Sequence, residues 1–191
     1  MAAMPGIEAK LTHLGVYTDQ PQAMCDFYGA VLGLVVSDTG MGHKFPRRII
    51  FMTGNPAEHH QFVLVVREPG DPQGGALFQV SFKVQSLDDL RAVTARAVAR
   101  KATGLRKMNH GNAWSVYFDD PDKNAVEIYM DTGWYVAQPF ADDLLLDLPD
   151  AELRRRTDER VRAVSGTMPQ AQWSARIALR IEQARHGEAN Q

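Results

Sequence analysis

One cysteine, Cys25, stands in 191 residues, which excludes an internal disulfide framework and suits a reducing compartment. No window reaches the roughly 18 consecutive apolar residues that a membrane span needs. The opening MAAMPGIEAK lacks the apolar centre of a secretory leader. These absences make the cytoplasm the expected location and leave no membrane partner. Positive charge is not in excess either, because 21 Lys and Arg face 23 Asp and Glu. The basic footprint of a nucleic-acid binder is therefore missing. What is present is core-forming material: 45% of the residues are apolar and 23% charged, enough for one domain or two small modules around a shared core.

The apolar pattern repeats. KLTHLGVYT over 10–18 alternates as a strand, with Leu11, His13, Gly15 and Tyr17 on one face. Asp19 and Pro21 then open a helix whose Ala23, Phe27, Ala30 and Val31 share a stripe and whose stop is Gly33. LVVSD, RRIIFMTG and HQFVLVVR follow as three strands separated by turn residues. The same order then recurs. LFQVSFKV is a strand, Ser86 caps a helix with Leu90, Val93, Ala97 and Val98 on its buried stripe, and LRKMN, WSVYFDD and AVEIYMD are strands.

Two tandem βαβββ modules, about 9–68 and 76–131, are expected, with PGDPQGG between them. The fold class is α+β: a curled mixed sheet around a central cavity, forming a domain over 1–140. After Pro139 the strand pattern ends. Residues 141–191 form a helical extension, its two helices opened by Pro149 with Asp150 and by Pro169. Arg154, Arg155 and Arg156 are interleaved with Asp150, Glu152, Asp158 and Glu159 and form a solvated face. Exposed sheet edges make a homodimer the expected assembly.

A repeat of this kind aims equivalent side chains at one point. Aligning HLGVYT with QVSFKV sets His13 opposite Gln79. Glu127 sits between Val126 and Ile128 on the last strand of the second module, where burial without a partner is costly. A metal ion would satisfy it, and an edge position facing water would do so too. His59 and His60 precede FVLVV, so alternation sends one to each face and puts His60 with Phe62 and Leu64. An imidazole at a cavity mouth serves as general base near neutral pH, and at a plain strand end it is a polar terminus. His110, Asn112 and Tyr117 in HGNAWSVYF offer donors suited to an anionic oxygen, or, for Tyr117, ordinary packing with a satisfied hydroxyl.

Three stretches resemble the vicinal oxygen chelate superfamily of glyoxalases, bleomycin-resistance proteins and type I extradiol dioxygenases: THLGVYTDQPQAMCDFYGAVLGL, FMTGNPAEHHQFVLV and HGNAWSVYFDDPDKNAVEIYMDTGWY. The likeness covers about 9–140. It implies that His13 and Glu127 are the first and last metal ligands and that His60 is the acid-base residue. Tyr117 would then bond a substrate oxygen, with His110 assisting at the edge. The ion it implies is Fe(II), or Mn(II) or another divalent ion, with open positions for a vicinal diol and molecular oxygen.

Where the dioxygenases place a second ligand histidine this chain has Gln79, whose amide oxygen is a neutral, harder and weaker ligand. Glyoxalase-type isomerases also require an acidic ligand from the fourth strand of the first module. That strand offers Gln61, Phe62 and Val63. Three readings follow: a ring-cleaving dioxygenase acting on a catechol or biphenyl-diol type of aromatic diol, a glyoxalase-like isomerase or lyase on the same scaffold, and a metal-free small-molecule binder of the bleomycin-resistance kind.

Overall fold

The computed structural model describes residues 10–42, 46–71 and 77–185. Strand β1 (Leu14–Thr18) leads into helix α1 (Pro21–Leu32), followed by β2 (Val35–Met41), β3 (Arg48–Thr53) and β4 (Phe62–Val66). These strands form one sheet in the order β1-β4-β3-β2, with β1 and β4 parallel. Then come β5 (Val80–Lys83), α2 (Leu87–Ala99), β6 (Arg106–Asn109), β7 (Ala113–Asp119) and β8 (Ala125–Asp131). Within their five-stranded sheet these strands have the order β6-β7-β8-β5, with β5 and β8 again parallel and a short later strand on the β6 edge. The four strands of each module follow the same topology, and the α+β class with mixed sheets read from the sequence is the class observed.

Local chemistry explains the helices. Pro21 opens α1 and Gly33, at φ 75°, closes it in the left-handed conformation that glycine adopts without strain. The Ser86 hydroxyl accepts from the Asp89 amide at 3.0 Å and caps α2. The buried face of α2 keeps Leu90, Val93 and Ala97 of the expected stripe, adds Thr94, and differs at both ends. Val98 is 54% exposed, and Leu87 in the first turn is buried instead. The strands β4 and β8 carry the apolar weight of the core through Phe62, Leu64, Val126 and Ile128.

Strand ends differ from expectation as well. The first strand begins at Leu14 rather than residue 10, where its register with Phe62 of β4 begins. Leu11 is accordingly exposed. For the same reason β4 excludes His60, so the alternation argument for that residue does not apply. The strand at LVVSD extends to Met41 and carries a bulge between Val36 and Asp38.

The chain divides into two compact units. One, Thr12–Arg106 with Val116–Tyr129, holds β1 to β5 and both of the first helices. Its centre is Tyr28, fully buried, whose hydroxyl donates to Asp120 Oδ2 at 3.0 Å while the Asn124 backbone and side-chain amides donate to the same carboxyl. Burial pushes the Asp120 carboxyl and the Tyr28 phenol above their usual ranges.

A bidentate clamp in this unit joins Arg47, before β3, to Asp71, after β4, with two bonds of 2.8 Å. The Arg47 guanidinium holds the Asp71 carboxyl down to about 2. Because the folded value lies below the unfolded one, the clamp stabilises above the ordinary carboxylate range near 4 and is lost as pH falls toward 2. Asp71→Asn is therefore expected to lower Tm at neutral pH by a difference that shrinks below about pH 4 and has mostly gone by about pH 2 in thermal melts. A gap that persists at pH 2 would show another origin.

The other unit comprises Lys107–Ser115, Met130–Gln191 and Met1–Leu11, of which residues 1–9 and 186–191 lie outside the described set. It contains β9 (Trp134–Tyr135), β10 (Asp142–Asp143), α3 (Asp150–Arg162), β11 (Met168–Pro169) and α4 (Gln170–Arg185). Pairing thus continues past Pro139, contrary to expectation: β10 pairs with β6, and β11 with β9. Two-residue strands are too short to leave a periodic signal in sequence. Thr157 on α3 accepts from Trp114 Nε1 at 3.0 Å and Asn109 Nδ2 at 3.2 Å, which satisfies a buried polar trio. Of the three arginines, Arg155 and Arg156 pair with Glu152 as a solvated face should. Arg154 instead lies over the Trp114 ring, 5.4 Å from the centroid. Trp173 of α4 stacks on Tyr135.

Candidate functional site

The parallel pair β5 and β8 sets Ser81 directly beside Glu127. Strand alternation then sends Val126 and Ile128 into the apolar core and Glu127 to the opposite face. Glu127 is only 9% exposed. Its Oε1 accepts from the Tyr117 hydroxyl at 2.6 Å, and its Oε2 accepts from Ser81 Oγ at 2.6 Å and Gln79 Nε2 at 2.9 Å. All three donors are neutral. Among the described residues none forms an ion pair with this carboxylate. A nearly buried anion that is oriented but not neutralised is a place where a cation is stabilised.

Gln79 also donates to Ser81 at 3.0 Å, which leaves its amide oxygen without a hydrogen bond among the described residues. Ser81 was not singled out by sequence reasoning. A serine two residues after a ligand candidate on one strand shares its face, and that spacing was the available signal.

Imidazoles gather on the first sheet. His13, exposed and just ahead of β1, stands against His60 with ring centroids 4.5 Å apart. Its Nδ1 lies 3.2 Å from Thr12 Oγ1, and its Nε2 bonds to no described residue. His60 is half-buried beside Phe51 and His59. Its pKa is lowered below the usual imidazole value by desolvation first and then by the neighbouring His13 and His59. That lowering favours the uncharged ring at neutral pH.

Register identifies the counterpart of Glu127. Gly15 pairs with Val63 as Ser81 pairs with Glu127, so with His13 matched to Gln79 the equivalent position holds buried Val63. No carboxylate stands where a second acidic ligand would be needed. No cluster of three or more His, Cys, Asp or Glu side chains arranged to hold a metal occurs among the described residues. A set that counts the Gln79 oxygen is of another kind: one imidazole, one amide oxygen and one carboxylate. Those donors fit a hard divalent ion better than the two-imidazole set does. The atoms such a set would use, His13 Nε2 and Gln79 Oε1, are the unbonded ones.

His110 belongs to the other unit, where its Nδ1 lies 2.8 Å from the Phe140 carbonyl. A carbonyl only accepts, so Nδ1 carries the proton there. A cavity of about 460 Å³ also lies in that unit, lined by Asn109, Asp142, Leu153, Arg156, Thr157 and Arg160 among others. None of the residues nominated from the sequence lines it.

Comparison with known proteins bears on these groups. The chain is 30% identical over 129 residues to biphenyl-2,3-diol 1,2-dioxygenase 2 of Rhodococcus globerulus, covering 64% of this chain and 63% of that protein. The chain thus spans less than two thirds of that relative's length. Its fold is similar to a glyoxylase/bleomycin resistance protein/dioxygenase domain from Frankia sp. EAN1pec, at a TM-score of 0.56 and 20% identity over 65% of this chain and 99% of that one. It is also similar to a mutant fosfomycin resistance protein from Listeria monocytogenes complexed with Mn(II) and 1S,2S-dihydroxypropylphosphonic acid. There the TM-score is 0.51 and the identity 14%, over 64% of this chain and 93% of that one. A family model matches residues 10–128, and on that match the chain belongs to the Glyoxalase/Bleomycin resistance protein/Dioxygenase superfamily.

Proposed function

We propose that the chain is a metal-dependent enzyme of the extradiol-dioxygenase kind that acts on an aromatic vicinal diol. The observation that carries this reading is the Glu127 carboxylate, nearly buried and held by three neutral donors beside the unbonded Gln79 oxygen. His13, Gln79 and Glu127 would hold the ion. The likeness to a biphenyl-diol dioxygenase supports the substrate class.

A divalent ion bound there supplies electrophilic pull on two adjacent substrate oxygens and, as Fe(II) or Mn(II), the redox partner for molecular oxygen. The rest falls to side chains. His60, neutral at working pH, takes a proton from a substrate hydroxyl, which makes that oxygen a better electron donor. Tyr117 donates its hydroxyl proton to Glu127 and so orients the carboxylate. Val63, where an acidic ligand would stand, weighs against a glyoxalase-type isomerisation.

The test is metal analysis of protein purified without chelators, joined to oxygen-uptake assays with biphenyl-2,3-diol and catechol. About one divalent ion per chain and oxygen uptake with diols but not with monophenols are expected. Turnover without oxygen would instead mean an isomerase or lyase. Diol binding that survives chelation, with no ion bound, would mean a binding protein.

A further inference from the structure

The row of side chains that holds Glu127 has a cation at its far end. In the sheet order β6-β7-β8-β5, Arg106, Tyr117, Glu127 and Ser81 stand on successive neighbouring strands, and all four belong to one compact unit. The Arg106 guanidinium lies over the Tyr117 ring, 5.2 Å from its centroid, and the Tyr117 hydroxyl reaches on to Glu127 at 2.6 Å. One tyrosine therefore stands between the cation and the carboxylate.

Arg67 shows what a stacked arginine with a structural partner looks like. It too lies 5.2 Å over a tyrosine ring, that of Tyr17, but its Nε donates to Asp19 at 3.1 Å and its side chain is 13% exposed. Arg106 has the stack without the carboxylate. It is exposed and makes no hydrogen bond or ion pair with a described residue. Asp119, two residues beyond Tyr117 on β7, does not supply one, because its Oδ2 accepts from the Thr103 hydroxyl at 2.8 Å. Contact with a ring face leaves the N–H fork of a guanidinium unspent, and that fork matches a carboxylate in both shape and charge.

We propose that Arg106 is a specificity-determining residue that binds an anionic substituent of the substrate, so that the aromatic diol carries a carboxylate on its ring or on a short arm. The diol end goes to the Glu127 cluster, the carboxylate goes to Arg106, and the substrate ring spans the tyrosine between them. A neutral substituent gains only contact with the guanidinium plane, whereas a carboxylate gains two charge-assisted hydrogen bonds. The inference rests on the reading of the Glu127 cluster as the place where the diol binds.

Calorimetric titration of the full chain, purified without chelators and kept under nitrogen so that no ligand is consumed, tests this. The probes are 3,4-dihydroxybenzoate and its amide, which has the same outline and no charge, together with the 2,3-isomers of both and catechol. A benzoate is expected to bind about ten- to hundredfold more tightly than its amide, the worth of hydrogen bonds to a charged group. Arg106→Gln should erase that preference by weakening the benzoate. Arg106→Lys, which keeps the charge but not the fork, should retain part of it. Equal affinity for benzoate and amide in the native protein, or a preference that survives in Arg106→Gln, overturns the proposal.

Oxygen uptake with the same probes in air separates this inference from the reading it rests on. A preference that depends on Arg106, with no uptake from any diol, leaves the anion site standing and overturns the oxygenase. Uptake from catechol with no preference for a benzoate does the reverse. Failure of every diol to bind overturns both.

Discussion

His60→Gln is expected to lower kcat on an aromatic diol by about 10²–10⁴-fold, the usual contribution of a general base, while metal content stays at the native level. Glutamine keeps a polar group of similar reach but has no nitrogen that can hold an extra proton near neutrality. The diol then has to lose its proton to water, whose basicity is far lower. Metal content should not respond, because His13, Gln79 and Glu127 retain their own partners: Glu127 keeps Tyr117, Ser81 and Gln79 regardless of residue 60. The ring of His60 does touch His13 at 4.5 Å, so a modest loss of metal affinity is compatible with the role. A variant that turns over at the native rate is not, and neither is one whose activity falls only in proportion to lost metal. The measurement pairs steady-state kinetics with metal analysis on the same preparation.

Most of the architecture is visible in sequence because it rests on periodicity. The repeat that makes His13 and Gln79 equivalent positions needs only the match of HLGVYT with QVSFKV, and parallel pairing of β1 with β4 and of β5 with β8 follows the same order in both halves. Glu127 is legible for a related reason: a carboxylate between Val126 and Ile128 on a core strand contradicts its surroundings, and such conflicts mark functional positions.

What sequence does not show is pairing between side chains far apart in the chain. Nothing local says that Tyr28 will meet Asp120, 92 positions later, although the bond between them fastens α1 to the turn before β8. The start of β4 is equally hidden. HQFVLVVR alternates well enough to suggest a strand from His60, but a strand begins where a partner is available, and pairing starts at Phe62. Gln61 marks the edge: its backbone bonds to Met52 and Leu14 while its side-chain oxygen turns back to accept from the Gly54 amide.

Glu127→Gln is expected to abolish metal binding and to remove the response of Tm to chelator. In the native protein, an ion that binds only the folded state stabilises it by an amount that grows with the logarithm of its concentration over Kd, so chelation should lower Tm measurably. The variant lacks the charge that holds the ion and should melt at one temperature with or without chelator. Its apo stability is decided by two opposed effects. Removing a nearly buried anion that has only neutral donors relieves a desolvation penalty. Against that, the new amide group has one acceptor oxygen for three donors, and its NH₂ must face at least one of Tyr117, Ser81 and Gln79.

Each donor left unsatisfied costs about 1–3 kcal/mol when buried. An NH₂ at the Oε1 place displaces Tyr117 and one at the Oε2 place displaces Ser81 and Gln79, so one or two such losses act against the relief in a group that retains some contact with water. The chelated variant should therefore melt below the chelated native protein by several degrees, at about 2–4 °C per kcal/mol for a chain of this size. Glu127→Ala, which leaves a space for water to reach the three donors, should be less destabilised than Glu127→Gln and equally metal-free. If the native protein proves insensitive to chelator and holds no ion, the Glu127 cluster is a hydrogen-bonded floor for an uncharged or cationic ligand, and Gln79, in the place of an imidazole, is the substitution that made it so.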